Sequence, residues 1–100
     1  MFVHMKQNQE IMILTLDNHP ENSFNPEMIQ QANTALDQIE ADEAVRGAVI
    51  TGADGPYFSS GMDIAHVMGL DAAALKQFFT ELFTFFHRVF LFPKPVVGAL

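Results

Sequence analysis

Tyr57-Phe58-Ser59-Ser60-Gly61-Met62-Asp63-Ile64 follows a short apolar run, Gly47-Ala48-Val49-Ile50-Thr51, and a turn-rich linker, Gly52-Ala53-Asp54-Gly55-Pro56, and it precedes a long apolar segment. The run reads as a strand and the segment as a helix, so the stretch between them is a strand-to-helix turn. Two serines and a glycine let the backbone bend sharply and leave its N–H groups uncovered. Asp63 suits the start of a helix. Uncovered donors at such a place can hold an oxyanion or a phosphate. The same composition also serves a purely structural turn, and both readings stand at this point.

Working outward, Val3–Lys6 and Ile11–Leu16 read as two strands of a hairpin around Gln7-Asn8-Gln9-Glu10, with Asn8 able to take the turn conformation. Asp17–Ser23 is a loop by local rules. Asn25 fits a helix N-cap, with Pro26 at the first helical position and Glu27 in the first turn. Met28, Ile29, Ala32, Leu36 and Ile39 recur at helical spacing, which predicts an amphipathic helix ending near Ala41-Asp42. Strand, helix and strand form a βαβ unit, so Ile11–Leu16 and Gly47–Thr51 are expected to be parallel in one sheet. Ligands in open α/β sheets bind beyond the carboxyl ends of strands, which is where the Ser-Ser-Gly turn lies.

Ile64–Gly69 reads as a short helical turn and loop. Asp71 is the candidate cap of a helix from Ala72 to about Phe92. Leu75, Phe78, Phe79, Leu82, Phe83, Phe86, Val89 and Phe90 form its apolar stripe, widened by Phe85 and Phe92. The stripe suits a core helix, and part of it also suits an acyl pocket or a subunit contact. Pro93-Lys94-Pro95 stops the helix, and Val96-Val97-Gly98-Ala99-Leu100 begins a further buried strand. The chain is expected to be one α/β domain over residues 1–100, cut within a core strand.

Composition narrows the classes. The chain has 100 residues, 49% of them hydrophobic, which is enough for one modest core. Five basic and twelve acidic residues give a net charge of −7 with no Lys/Arg cluster, which argues against a nucleic-acid face. The absence of cysteine excludes a disulfide scaffold and a thiolate metal or redox site. No basic-plus-apolar leader and no apolar run of membrane-spanning length stand in the sequence, so no membrane association and a cytoplasmic location are expected.

Other candidate chemistry is thin. His4, His19, His66 and His87 lack metal-ligand spacing, so no metal site is expected; His66, three residues after Asp63, is the one histidine that could face the turn. Asp54 belongs to a Gly/Pro turn. Asp63 reads as a cap or packing anchor rather than a general base. Ser59 and Ser60 have no evident His/Asp partners for nucleophilic catalysis. The glycines form neither a P-loop nor a dinucleotide fingerprint.

Several blocks act together: Leu16-Asp17-Asn18-His19-Pro20, Asn22-Ser23-Phe24-Asn25, Arg46–Gly52, Phe58-Ser59-Ser60-Gly61-Met62-Asp63-Ile64 and Pro93-Lys94-Pro95-Val96-Val97-Gly98-Ala99. Their order and spacing resemble the N-terminal part of the enoyl-CoA hydratase/isomerase (crotonase) family over essentially the whole chain. The resemblance implies a crotonase-like α/β fold of ββα turns wound into a spiral with two nearly perpendicular sheets, as in the wider ClpP/crotonase class. It implies binding of an acyl-CoA thioester, hydration or double-bond isomerisation of an enoyl-CoA as in fatty-acid β-oxidation, and a homo-oligomer, trimer or hexamer. No cofactor is implied, because coenzyme A is part of the substrate. Two backbone N–H groups stabilise a thioester enolate in such enzymes; the resemblance assigns the first to Ser60, the small residue before Gly61. Ser23, Ser59, Gly61, Met62 and Asp63 are the matching substrate-binding positions, and the Asn22-Ser23-Phe24 loop is expected near the adenine end. Met62 replaces the alanine common in hydratases, which keeps isomerisation open.

The family's second donor, a glycine in a Gly-rich turn, and its proton-moving carboxylates match nothing here, since Gly98 lies within a strand. The 100-residue segment alone is therefore expected to be inactive. A catalytically silent acyl-CoA-binding or oligomerisation homologue is one alternative, and an α/β domain with a purely structural Ser-Gly turn is another.

Overall fold

The computed structural model describes residues 1–100. Strands β1 (Val3–Asn8), β2 (Ile11–Leu16), β3 (Gly47–Gly52) and β4 (Val96–Ala99) form one sheet in that order, with helices α1 (Pro26–Ala41), α2 (Ile64–Val67) and α3 (Ala72–Phe90) between them in the chain. β1 and β2 are antiparallel; β2 with β3 and β3 with β4 are parallel.

The βαβ unit follows from local chemistry. Asn25 has an extended backbone and its Oδ1 accepts the Met28 N–H at 2.8 Å, satisfying one of the orphan donors of α1. Met28, Ile29, Ala32, Ala35, Leu36 and Ile39 are all buried against the sheet face that carries Val3, Leu14, Leu16 and Ala48. The last turn of α1 holds no basic residue; Lys94, from the linker before β4, supplies the cation, its Nζ donating to the carbonyls of Ile39 and Asp42.

α3 begins where Asp71 Oδ1 accepts the Ala74 N–H at 2.8 Å. Phe78, Leu82 and Phe85 are its buried residues, so the centre of its inward stripe falls on Phe85 rather than on Phe83 or Phe86. In that rotation the Arg88 guanidinium donates to the Asn33 carbonyl at 3.2 Å and to Asp37 Oδ1 at 2.7 Å, tying α3 to α1. Phe85 and the partly exposed Phe86 line an apolar cavity of about 260 Å³ with Leu14, Leu16, Phe24, Ile50 and Phe58, whereas Phe83, Phe90 and Leu91 are more exposed still.

Two expectations are corrected. β1 runs on to Asn8, which pairs with Ile11, and the turn residue with positive φ is Gln9 (56°), its carbonyl held by Gln7 Nε2 at 2.9 Å. α3 stops at Phe90, with Leu91 as its C-cap. Within residues 1–100 β4 pairs with β3, and Val97 is exposed. No helix is long and apolar enough to cross a membrane.

Candidate functional site

Parallel pairing places Leu16, the end of β2, opposite Gly52, the end of β3, so the loops that follow both strands leave the same edge of the sheet. The Ala53 N–H extends the ladder by donating to the Leu16 carbonyl at 2.8 Å. The two loops then run side by side. The Ser60 N–H donates to the Glu21 carbonyl at 3.0 Å, the Phe24 N–H to the Gly61 carbonyl at 2.7 Å, and the Asp63 N–H to the Phe24 carbonyl at 2.9 Å. Phe24 is anchored in turn by burial in the core and by its ring contacts with Phe85 and Phe86.

The sharp bend sits at Gly61, whose φ of +101° is strained for any residue with a Cβ. The Ser59 hydroxyl accepts the Gly61 N–H at 3.2 Å and so braces the bend from inside. Asp63 caps α2: its Oδ1 accepts the His66 N–H at 3.1 Å. His66 turns the other way and packs edge-on against Phe78, with ring centroids 5.4 Å apart.

These bonds occupy the N–H groups of Ser60, Gly61 and Asp63 and leave those of Ser59 and Met62 without a protein acceptor. The Ser60 N–H, the expected donor, is spent on the Glu21 carbonyl, and using it for a ligand would break the bond that joins the two loops. Met62 is different. It forms a parallel bridge with Phe24, and the bonds of that bridge come from its neighbours, through the Gly61 carbonyl and the Asp63 N–H. In a parallel pair the bracketed residue points its own N–H and C=O to the opposite side. The Met62 N–H has no protein acceptor and is directed away from Phe24.

An open groove of about 520 Å³ lies at this turn, lined by Glu21, Ser23, Ser60, Gly61, Met62, Asp63, Ile64 and Ala65. It brings together five of the residues singled out in the sequence, Ser23, Ser60, Gly61, Met62 and Asp63. Ser59 is not among its walls. Two carboxylates and no cation line it, so a phosphate dianion would be repelled, while a neutral carbonyl can accept from a backbone N–H. Within the Asn22-Ser23-Phe24 loop only Ser23 faces the groove; Asn22 and Phe24 are buried. No three His, Asp or Glu side chains converge as a metal site would need.

If Asp63 is a cap, Asp63→Asn retains the bond to His66 and keeps stability within about 0.5 kcal/mol, and Asp63→Ala costs about 1 kcal/mol. Denaturant titration of the two variants checks this; equal losses in both would remove the capping role.

Two contributors have weak sequence signals: Gly52, where a Cβ would stand 2.6 Å from the Tyr57 carbonyl oxygen, and Asn22, whose Nδ2 donates to that carbonyl at 2.9 Å from a backbone of positive φ. The available signals were an asparagine in a loop, the residue most tolerant of positive φ after glycine, and a glycine closing a strand.

Comparison with known proteins fits this architecture. The structure of an enoyl-CoA hydratase from Bacillus anthracis superposes with a TM-score of 0.93 at 19% identity, over 98% of this chain and 39% of that one, so the fold is the crotonase-like α/β fold. A model of the enoyl-CoA hydratase/isomerase family matches residues 6–100, and the chain belongs to that family. A Bacillus subtilis protein named "Probable enoyl-CoA hydratase" is 30% identical over 102 residues, 98% of this chain and 38% of its own length. The 1,2-epoxyphenylacetyl-CoA isomerase of Escherichia coli is 35% identical over 102 residues, 90% of this chain and 36% of its own length. The chain thus spans well under half the length of these relatives.

Proposed function

We propose that the intact protein is an acyl-CoA-processing enzyme that stabilises a thioester enolate, for hydration or double-bond isomerisation of an enoyl-CoA as in fatty-acid β-oxidation. The observation that carries this is the unspent N–H of Met62, directed away from Phe24 by its neighbours' bonds, in a residue that lines a groove without cations. A thioester carbonyl that becomes an enolate concentrates negative charge on one oxygen. A preorganised backbone donor binds that oxygen more strongly than the neutral carbonyl, which lowers the barrier.

In this reading the donor role passes from Ser60 to Met62. Ser23, Gly61, Met62 and Asp63 flank the acyl-CoA path, and Ser59 acts on the bend instead of on the ligand. The second donor and the carboxylates that move protons come from the remainder of the intact protein, which is a cytoplasmic homo-oligomer, a trimer or hexamer. Coenzyme A enters as part of the substrate.

The test is the carbonyl stretch of an enoyl-CoA labelled with ¹³C at the thioester carbon, bound to the intact protein, with turnover followed at the thioester absorbance. A shift to lower frequency with turnover is expected. An unshifted carbonyl overturns the reading. A shifted carbonyl without turnover leaves a catalytically silent acyl-CoA binder.

A further inference from the structure

The geometry points to Asn22 as the residue that positions the Met62 donor, a role that rests on the function proposed above. Asn22 does not line the groove. The residue is 3% exposed and its φ is +54°, so a polar amide is buried in a left-handed conformation. A buried amide is costly unless its groups are satisfied, and here both ends are in use. Oδ1 accepts the Asn18 N–H at 3.0 Å, while the Asn22 N–H donates to the Asn18 carbonyl at 2.7 Å, which closes the first loop on itself. Nδ2 reaches across to the second loop and donates to the Tyr57 carbonyl at 2.9 Å.

That is the one side-chain bond between the two loops; the others join backbone to backbone. It fixes the chain at Tyr57, ahead of the bend, whereas the bonds to Glu21 and Phe24 fix it at Ser60, Gly61 and Asp63. Met62 lies inside the clamped length. Gly52 belongs to the same arrangement. A Cβ there would stand 2.6 Å from the Tyr57 carbonyl oxygen and 2.9 Å from Asn22 Nδ2, so the end of β3 is kept bare beneath this bond. A filler residue would meet the need for volume alone. An amide whose free donor grips the start of the bend sets where the bend goes.

Two variants separate positioning from folding. Asn22→Gly keeps the left-handed backbone and removes the whole amide. Asn22→Asp keeps the shape and the Oδ1 acceptor and removes the Nδ2 donor. In the intact protein, hydrogen exchange at the β2–β3 amides reports the scaffold, exchange at Ser60 reports the clamp, and the bound ¹³C-carbonyl stretch of an enoyl-CoA reports the donor. The expected result in both variants is wild-type protection of the β2–β3 ladder and about tenfold faster exchange at Ser60, the effect of one net hydrogen bond. The carbonyl shift shrinks, and kcat falls about tenfold with KM little changed, because the loss is felt mainly in the transition state.

A wild-type protein that shifts the carbonyl, with a variant that keeps the ladder and the full shift, overturns the positioning role and leaves the proposed function standing. Loss of the ladder in both variants assigns Asn22 to folding and also overturns it. An unshifted carbonyl in the wild type overturns the proposed function itself, and the positioning role falls with it.

Discussion

Met62→Pro lowers kcat of the intact protein by about 10²–10³, the loss measured when one oxyanion donor is removed. Proline deletes the backbone N–H, and at this position the fold makes no use of that N–H. Proline removes neither bond of the bridge to Phe24, because these are made by the Gly61 carbonyl and the Asp63 N–H. The side chain is a separate matter, since Met62 packs against the core. Met62→Ala removes that packing and keeps the N–H, so it is the reference variant. The ratio of kcat between the alanine and proline variants isolates the donor. A ratio near one, with both proteins binding acyl-CoA, would show that Met62 is not the donor. The corresponding exchange at Ser60 has no such clean form, since proline there would also cut the bond to Glu21.

Gly52→Ala destabilises the protein by about 1–3 kcal/mol, the range for forcing an extra methyl group into a filled site. The added Cβ would approach the carbonyl oxygens of Tyr57 and Phe58 to 2.6 and 2.9 Å and Asn22 Nδ2 to 2.9 Å. Two of these are backbone atoms, which cannot swing aside as a flexible side chain does. The 53–58 loop must lift from the end of β3, so kcat should fall together with stability. Gly98→Ala is the matched control, for an added Cβ in β4 meets nothing within 4 Å. Denaturant midpoints of the two variants give the comparison, and equal stability of Gly52→Ala and wild type would sink the claim.

The βαβ core could be read from the sequence because its signals are local and redundant. Asn25-Pro26 marks one end of α1, five inward positions mark its face, and β2 and β3 are short β-branched runs. The face of α3 was harder to read. Phenylalanine occurs nearly all round it, so periodicity cannot choose a side, and the observed side is one that brings Arg88 to Asn33 and Asp37 across 55 and 51 residues. Asn8 has the better turn propensity, yet the register of β1 on β2 pairs it with Ile11 and puts Gln9 at the bend.

The site divided in the same way. Its location at the carboxyl ends of β2 and β3 followed from topology. Its donor did not, because residue type only tells which N–H groups are uncovered by side chains. Whether an N–H is already paired depends on a second loop, and the Glu21 carbonyl that occupies Ser60 lies 39 positions earlier in the chain (60 − 21).

The bond from Asn22 to Tyr57 spans 35 residues. Closing a loop of that length carries an entropic cost that a single hydrogen bond does not offset, and contacts of high sequence separation form late in folding. The donor turn therefore has no native shape until α1 has folded and β3 has docked beside β2. In refolding, acyl-CoA binding should lag behind the sheet, and in mild denaturant it should vanish while the helices still give their circular dichroism, because clamps between loops open at lower free energy than the core they rest on.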